Sequence, residues 1–198
     1  MKNFTIRTVE QFEEPAFTGM VNAILHDPDR QAAKARLFGT HRPSPAPSGA
    51  LQVRVGAYEE ERLIGWSHAW LQPGGTLYVS NSGVQPDRRQ QGVYNSLVAA
   101  MEEQARSLGC MRIESHHRAG NNAVLIAKLK AGYTIIGSEF SAEMGLLLKM
   151  CKYLDPHRDV LFHARAGTVE GVMRFFDSNP VSASPVRTGD PPGTSPPP

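Results

Sequence analysis

Cysteine is scarce in this chain of 198 residues: only Cys110 and Cys151 occur. Both sit in apolar, strand-like contexts, where buried free thiols are expected rather than a disulfide or a nucleophile. Charge excess is lacking too. A formal net charge of +2, with the Lys and Arg residues scattered, gives no basic field, so no nucleic-acid partner is expected. No segment approaches the apolar length needed to cross a bilayer, and Met1-Lys2-Asn3-Phe4-Thr5 has no apolar h-region. A protein with no membrane partner and a cytoplasmic location is the expectation. His116-His117 has no third ligand at metal-binding spacing, so no metal is expected. There is no Gly-Lys-Ser/Thr phosphate loop, no Gly-x-Gly-x-x-Gly dinucleotide fingerprint and no internal repeat.

What is present centres on Gly83-Val84-Gln85-Pro86-Asp87-Arg88-Arg89-Gln90-Gln91-Gly92-Val93-Tyr94. Ahead of it Leu77 and Val79 are apolar on odd positions, whereas the apolar Val84 is on an even one. A one-residue slip turns later side chains to the other face, so the pattern predicts a β-bulge. Behind it Tyr94, Leu97, Val98, Met101, Ala105 and Leu108 recur at helical spacing until Gly109. The stretch therefore reads as bulged strand, turn and helix start. The first amides of a helix lack internal acceptors, and Gly92 allows close approach, so the turn suits an anion such as a phosphate.

The remaining pattern frames this stretch. Phe4 to Val9 alternates as a strand, and Glu10 to His26 has helical periodicity, with Pro15 in its first turn. A second helix is expected over residues 29–38, and Pro43, Pro45 and Pro47 make residues 40–49 a loop. Leu51, Val53 and Val55, a solvated turn at Glu59 to Arg62, and the return through Leu63 to Trp70 form a hairpin. A strand at Met111 to His116, a helix from Asn121-Asn122 to Gly132, a strand at Tyr133 to Gly137 and an apolar strand from Gly145 to Leu154 follow. With parallel crossovers through the last two helices, this order predicts an α/β fold with a mixed sheet of about seven strands and helices on both faces. Beyond it, residues 155–176 form an extension with a short amphipathic helix marked by Val169, Val172, Met173 and Phe176. Residues 177–198 are expected to be a Pro-rich, disordered tail.

Val84-x-Pro86-x-x-Arg89-x-x-Gly92-Val93-Tyr94, followed by Asn121 and then Ala131-Gly132-Tyr133, resembles the GCN5-related N-acetyltransferases. The likeness spans roughly Phe4 to Leu154 in element order and makes residues 1–154 the acyltransferase domain. The resemblance implies the acyl-CoA N-acyltransferase fold, with acetyl-CoA in a wedge where the bulged strand splays from the strand beginning at Met111. By it, Arg89 opens the pyrophosphate turn, and the amides of Gln90, Gln91, Gly92, Val93, Tyr94 and Asn95 hold the pyrophosphate. Backbone groups of Gly83, Val84 and Gln85 pair with the pantetheine arm as an added strand, and Asn121 reaches the cofactor with its side-chain amide. Tyr94 stands where the family often has Gly or Ala. Lys128 occupies the position, seven residues after Asn121, where many members carry a Tyr; as a residue it reads as a solvated helix position. Ser80 and Asn81 stand where a carboxylate base often lies.

The implied reaction is transfer of an acetyl group from acetyl-CoA to a primary amine of a small molecule or peptide by direct attack. The Val84 amide is the oxyanion candidate. His116, Glu114, His68 or a water held by Asn81 are the alternatives for the base. Trp66 and Trp70 read as core or sheet-face packing, with an acceptor pocket as the alternative. A non-catalytic acyl-CoA-binding module is the second functional reading, and the helix after Tyr153 makes a homodimer an expectation.

Overall fold

A computed structural model describes residues 3–25, 47–142 and 144–178. The helix expected over residues 29–38, most of the proline loop and nearly all of the Pro-rich tail lie outside the described residues. The chain divides into two compact units, Met1–Asp159 and Val160–Pro198.

In the first unit, β1 (Thr5–Thr8) leads to α1 (Ala16–Leu25), β2 (Gln52–Glu59), β3 (Arg62–Gln72) and β4 (Thr76–Val84). A single 3-10 turn at Pro86–Arg88 precedes α2 (Val93–Ser107). Then come β5 (Arg112–Arg118), α3 (Asn122–Lys130), β6 (Thr134–Ser141) and β7 (Gly145–Tyr153). The seven strands form one sheet in the order β1-β2-β3-β4-β5-β7-β6, antiparallel at every junction except the parallel β4–β5 pair.

The α2 stripe explains why the sheet closes around this helix. Val93, Leu97, Val98, Met101 and Ala105 are buried, at spacings of one, three and four residues that keep them on one face. They pack on Val55 and Ala57 of β2, Ala69 of β3, Leu77, Val79 and Val84 of β4, Ile113 of β5 and Met150 of β7. Each large side chain removed from water in this way contributes about 2 kcal/mol. A Cβ placed on Gly65 would lie 3.2 Å from Val93 and 3.3 Å from Leu97, so this position of β3 faces α2. The next residue, Trp66, faces the other way and meets Phe17 of α1 edge to face at 5.7 Å. Helices thus cover both faces. Cys110 and Cys151 are free and buried.

Several expectations are corrected. β7 lies between β5 and β6, so only the crossover through α2 joins neighbouring parallel strands; the one through α3 skips a place. β6 runs on to Ser141 because it pairs with β7 along the whole hairpin. The first helix begins at Ala16, leaving Pro15 just ahead of its first turn. Helix α4 (Pro156–Arg165), which spans the division between the units, was not anticipated. Its signal is the Asp155-Pro156 pair: the His157 N–H donates to Asp155 Oδ1 at 2.9 Å, and Pro156 sits where a missing amide costs nothing. A reading by apolar periodicity passes over such a start.

In the second unit, Thr168 caps α5 (Val169–Ser178) by accepting the Gly171 N–H at 3.1 Å. Asp177 and Ser178 belong to this helix rather than to a disordered tail.

Candidate functional site: a splayed strand pair ahead of a helix start

The β3–β4 register runs from Val79↔Ala69 straight to Asn81↔His68, leaving Ser80 as an extra, unpaired residue. This is the bulge that the slip between Val79 and Val84 predicts. On the other side, β4 pairs with β5 only from Thr76↔Arg112 to Val79↔Ser115. Beyond that rung β4 stays with β3 as far as Val84, while β5 stays with β7 as far as Arg118. The two central strands therefore part at Ser80, and a wedge opens between them.

Strand parity decides which backbone groups face the wedge. Gln85 N–H donates to Ile64 O at 2.9 Å, which makes Val84↔Gly65 a non-hydrogen-bonded pair. By alternation Ser82 and Val84 turn their N–H and C=O groups to the wedge, and Gly83 turns its groups to β3. Gln85 has both backbone groups engaged, because its carbonyl accepts the Arg88 N–H at 2.9 Å. The expectation that Gly83, Val84 and Gln85 all offer edge groups is corrected accordingly: Val84 does, with its carbonyl also accepting from Arg89 Nε, Gly83 and Gln85 do not, and Ser82, unnoticed in the sequence, does. Counting alternation from the bulge would have found it. Gly83 has a different task. A Cβ there would lie 2.3 Å from the Trp66 ring, so only glycine lets the indole lie across β4. The Trp66 side chain is fully buried, and its Nε1 donates to Asn81 Oδ1 at 2.7 Å.

The turn after β4 is fastened from behind. Arg88 makes two hydrogen bonds to the Glu59 carboxylate, at 2.6 and 2.9 Å, and Glu61 pairs with Arg7, so the acidic hairpin turn is an anchor rather than merely solvated. Arg89 Nε donates to Val84 O at 3.3 Å. Gln90 and Gly92 both have left-handed backbone, at φ 61° and 82°. Such alternation makes successive N–H groups converge. Among the described residues no backbone acceptor is found for the N–H groups of Gln90 through Asn95, whereas Ser96 N–H donates to Gly92 O at 3.0 Å. A Cβ on Gly92 would meet nothing within 4 Å, so the turn is open at this residue.

Asn121 is the N-cap residue of α3, and its side chain makes no capping hydrogen bond. Helix α3 follows β5, the strand on the far side of the wedge. Lys128 is only 2% exposed, a correction to its reading as a solvated residue. Its ammonium lies 3.9 Å from the Tyr133 ring centre. Burial lowers its pKa to about 7, the nearby Lys152 adding to the effect and Glu102 opposing it. His117, hydrogen-bonded to Ser115 Oγ at 2.9 Å, is pushed down to about 4, chiefly by burial and then by Lys128 and His116. Burial also raises the Tyr94 hydroxyl, keeping it neutral.

The opposite face of the sheet gathers the remaining candidates. His116 Nδ1 meets Tyr78 Oη at 3.0 Å, and its Nε2 lies 4.0 Å from Glu139. Trp70 packs against Tyr78 at 5.1 Å and against His68 at 6.1 Å. Glu114 is buried between Arg112 and Lys149, at 2.9 and 2.8 Å, so its carboxylate is committed to two cations and unsuited to the role of base. Among the described residues no helix is long and apolar enough to cross a membrane, and no group of three His, Cys, Asp or Glu is arranged to hold a metal ion.

The family model for the acetyltransferase (GNAT) family matches residues 10–133, more than half of the chain. The chain belongs to the GNAT family. No curated protein matches this GNAT chain by sequence. Among solved structures it is similar to the ribosomal-protein-S18-alanine N-acetyltransferase from Escherichia coli, with 14% identity, a TM-score of 0.60 and coverage of 77% of this chain and 94% of that one. It is similar to the IAA acetyltransferase from Bacillus cereus, with 13% identity, a TM-score of 0.58 and coverage of 76% and 99%. An acetyltransferase from Bacillus subtilis in complex with CoA gives 14% identity, a TM-score of 0.56 and coverage of 77% and 99%. At these identities the likeness is one of fold.

Proposed function

We propose that this protein transfers the acetyl group of acetyl-CoA to a primary amine of a small molecule or peptide, by direct attack of the amine on the thioester. The observation that carries the reading is the parting of β4 from β5 at Ser80, immediately ahead of a left-handed turn whose amides converge. An anion needs such amides and an extended chain needs a free strand edge; both occur here in succession. Family membership supports the same reading.

The Gln90 to Asn95 amides hold the pyrophosphate, and Arg89 adds a cation beside them. Ser82 and Val84 pair with the pantetheine arm, and Asn121 offers its side-chain amide from α3. Bound acetyl-CoA supplies an activated acyl carbon. The Val84 N–H stabilises the negative charge that develops on its carbonyl oxygen, a role worth about 100-fold or more in rate. Asn81 and His116 orient the amine.

Acetyl-CoA is expected to raise the melting temperature, and Arg89→Glu is expected to remove most of the rise. Thiol release should appear with at least one amine among spermidine, an aminoglycoside, free amino acids and a peptide with a free N-terminus. Tight binding of acetyl-CoA without turnover on any of these would turn the reading to a binding module.

A further inference from the structure

The extra residue of the bulge is a serine, and its surroundings are unusually directional. Ser80 lies just past the last rung shared by β4 and β5, so its half-buried side chain is at the vertex of the wedge. Its Oγ is 3.2 Å from His68 Nδ1 and 3.1 Å from His68 O, and it accepts from Asn81 Nδ2 at 3.3 Å. His68 Nε2 is 3.1 Å from Gln52 Oε1, which also accepts from Arg54.

The proton positions follow from the two ends. A guanidinium only donates, so Gln52 presents an oxygen, and His68 must carry its proton on Nε2 to reach it. The Nδ1 lone pair then faces the Ser80 hydroxyl. At the other end the Trp66 indole only donates, which fixes Asn81 Oδ1 as acceptor and turns Nδ2 toward Ser80. The run from Arg54 to Trp66 is thus oriented at both ends, with the single Ser80 hydroxyl proton between two acceptors, His68 O and His68 Nδ1. Its one strong proton acceptor, His68 Nδ1, points through Ser80 to the vertex.

We propose that Ser80 and His68 form a proton relay that removes the proton of the attacking amine. The amine N–H bond breaks as its proton passes to Ser80 Oγ. The Ser80 O–H proton passes in turn to His68 Nδ1, and the electron pair stays on the amine nitrogen, which bonds to the acyl carbon; the C–S bond of the thioester then breaks and the CoA sulfur leaves as a thiolate that takes a proton from solvent. The imidazolium is discharged when the Nδ1 proton passes back through Ser80 Oγ to water entering the vertex after the product has left, so the neutral ring returns to the Nε2–H form that Gln52 favours. Ser80 is the residue that touches the amine, and His68 acts through it.

Burial, and then the Arg54 charge, hold the His68 pKa below its ordinary value, so the ring is a neutral acceptor near pH 7. Arg54 on β2 is the one charged group resolved as acting on it among the described residues; Gln52 on β2, Ser80 on β4 and Trp70 on its own strand are uncharged groups that face it. His116 is placed differently. Its Nδ1 is taken by Tyr78, one rung before the vertex, and its Nε2 faces Glu139 on the edge strand.

This inference rests on the acetyl-transfer reading. The test uses the full chain, with thiol release from acetyl-CoA measured across the amines named above. Ser80→Ala and His68→Gln are each expected to lower kcat by about 100-fold while leaving the melting shift with acetyl-CoA intact. The double variant should lose no more than either single one. The acidic limb of the pH profile should vanish in His68→Gln and persist in His116→Gln, and added imidazole should restore part of the activity of His68→Ala. Full activity in both single variants, additive losses or an acidic limb that follows His116 would each overturn the relay alone, whereas bound acetyl-CoA without turnover on any amine would overturn the acetyl-transfer reading and the relay with it. Absence of any melting shift with acetyl-CoA would overturn the acetyl-transfer reading together with it.

Discussion

The ammonium nitrogen of Lys128 lies 3.9 Å from the centre of the Tyr133 ring, in a site that leaves only 2% of the lysine exposed. A π face offsets part of what the charge loses on leaving water, but less than full hydration would. The result is a lysine whose pKa falls from 10.5 to about 7.

The sign of its effect on stability follows. Between about pH 7 and 10.5 the unfolded chain holds a proton that the folded chain has shed, so stability climbs as pH rises through that window. Below it the burial penalty is complete. Lys128→Met removes the penalty and is expected to stabilise the fold at pH 6 by about 2 kcal/mol. The advantage should shrink steadily towards pH 10. Urea denaturation at a series of pH values measures it, and an advantage that grows with pH would contradict this account.

Gly83→Ala places a methyl group 2.3 Å from the Trp66 ring, and the ring is held by its bond to Asn81, so it cannot simply swing away. A loss of about 1–3 kcal/mol is expected. Adding Trp66→Phe should recover part of that loss in a double-mutant cycle. Additive losses would mean that the two residues do not constrain each other.

At Gly92 a methyl group meets nothing, but the backbone sits at φ 82°. Gly92→Ala should therefore cost only about 1 kcal/mol in stability, from strain alone. The same change tilts the amides that follow it. Its loss in the melting shift with acetyl-CoA should exceed anything its stability predicts, as titration calorimetry can check.

Glu114→Gln leaves Arg112 and Lys149 without a carboxylate between them. Both cations are partly exposed, at 41% and 36% of their side chains, so water compensates in part. A loss of about 1–3 kcal/mol in chemical denaturation is expected. Turnover per folded molecule should persist, since the carboxylate has no part in the proton path.

The bulge and the turn were legible because they are local events. An apolar phase that slips between Val79 and Val84, and a glycine at a helix start, leave marks within a few residues. The seven strands, the α2 stripe and the buried thiols were legible for the same reason. The insertion of β7 between β5 and β6 was not, because strand order depends on pairing between residues distant in sequence.

The sequence by itself determined where β4 breaks step and where the amides of α2 gather, since backbone geometry follows from neighbours along the chain. Only the tertiary structure decided what those features face. Parity across β3 chose Ser82 and Val84 over Gly83 and Gln85, the fold buried Lys128 against the Tyr133 ring, and three strands carried Gln52, His68 and Ser80 to one point. Burial, charge and proton direction arise from groups far apart in the chain, and folding alone brings those groups together.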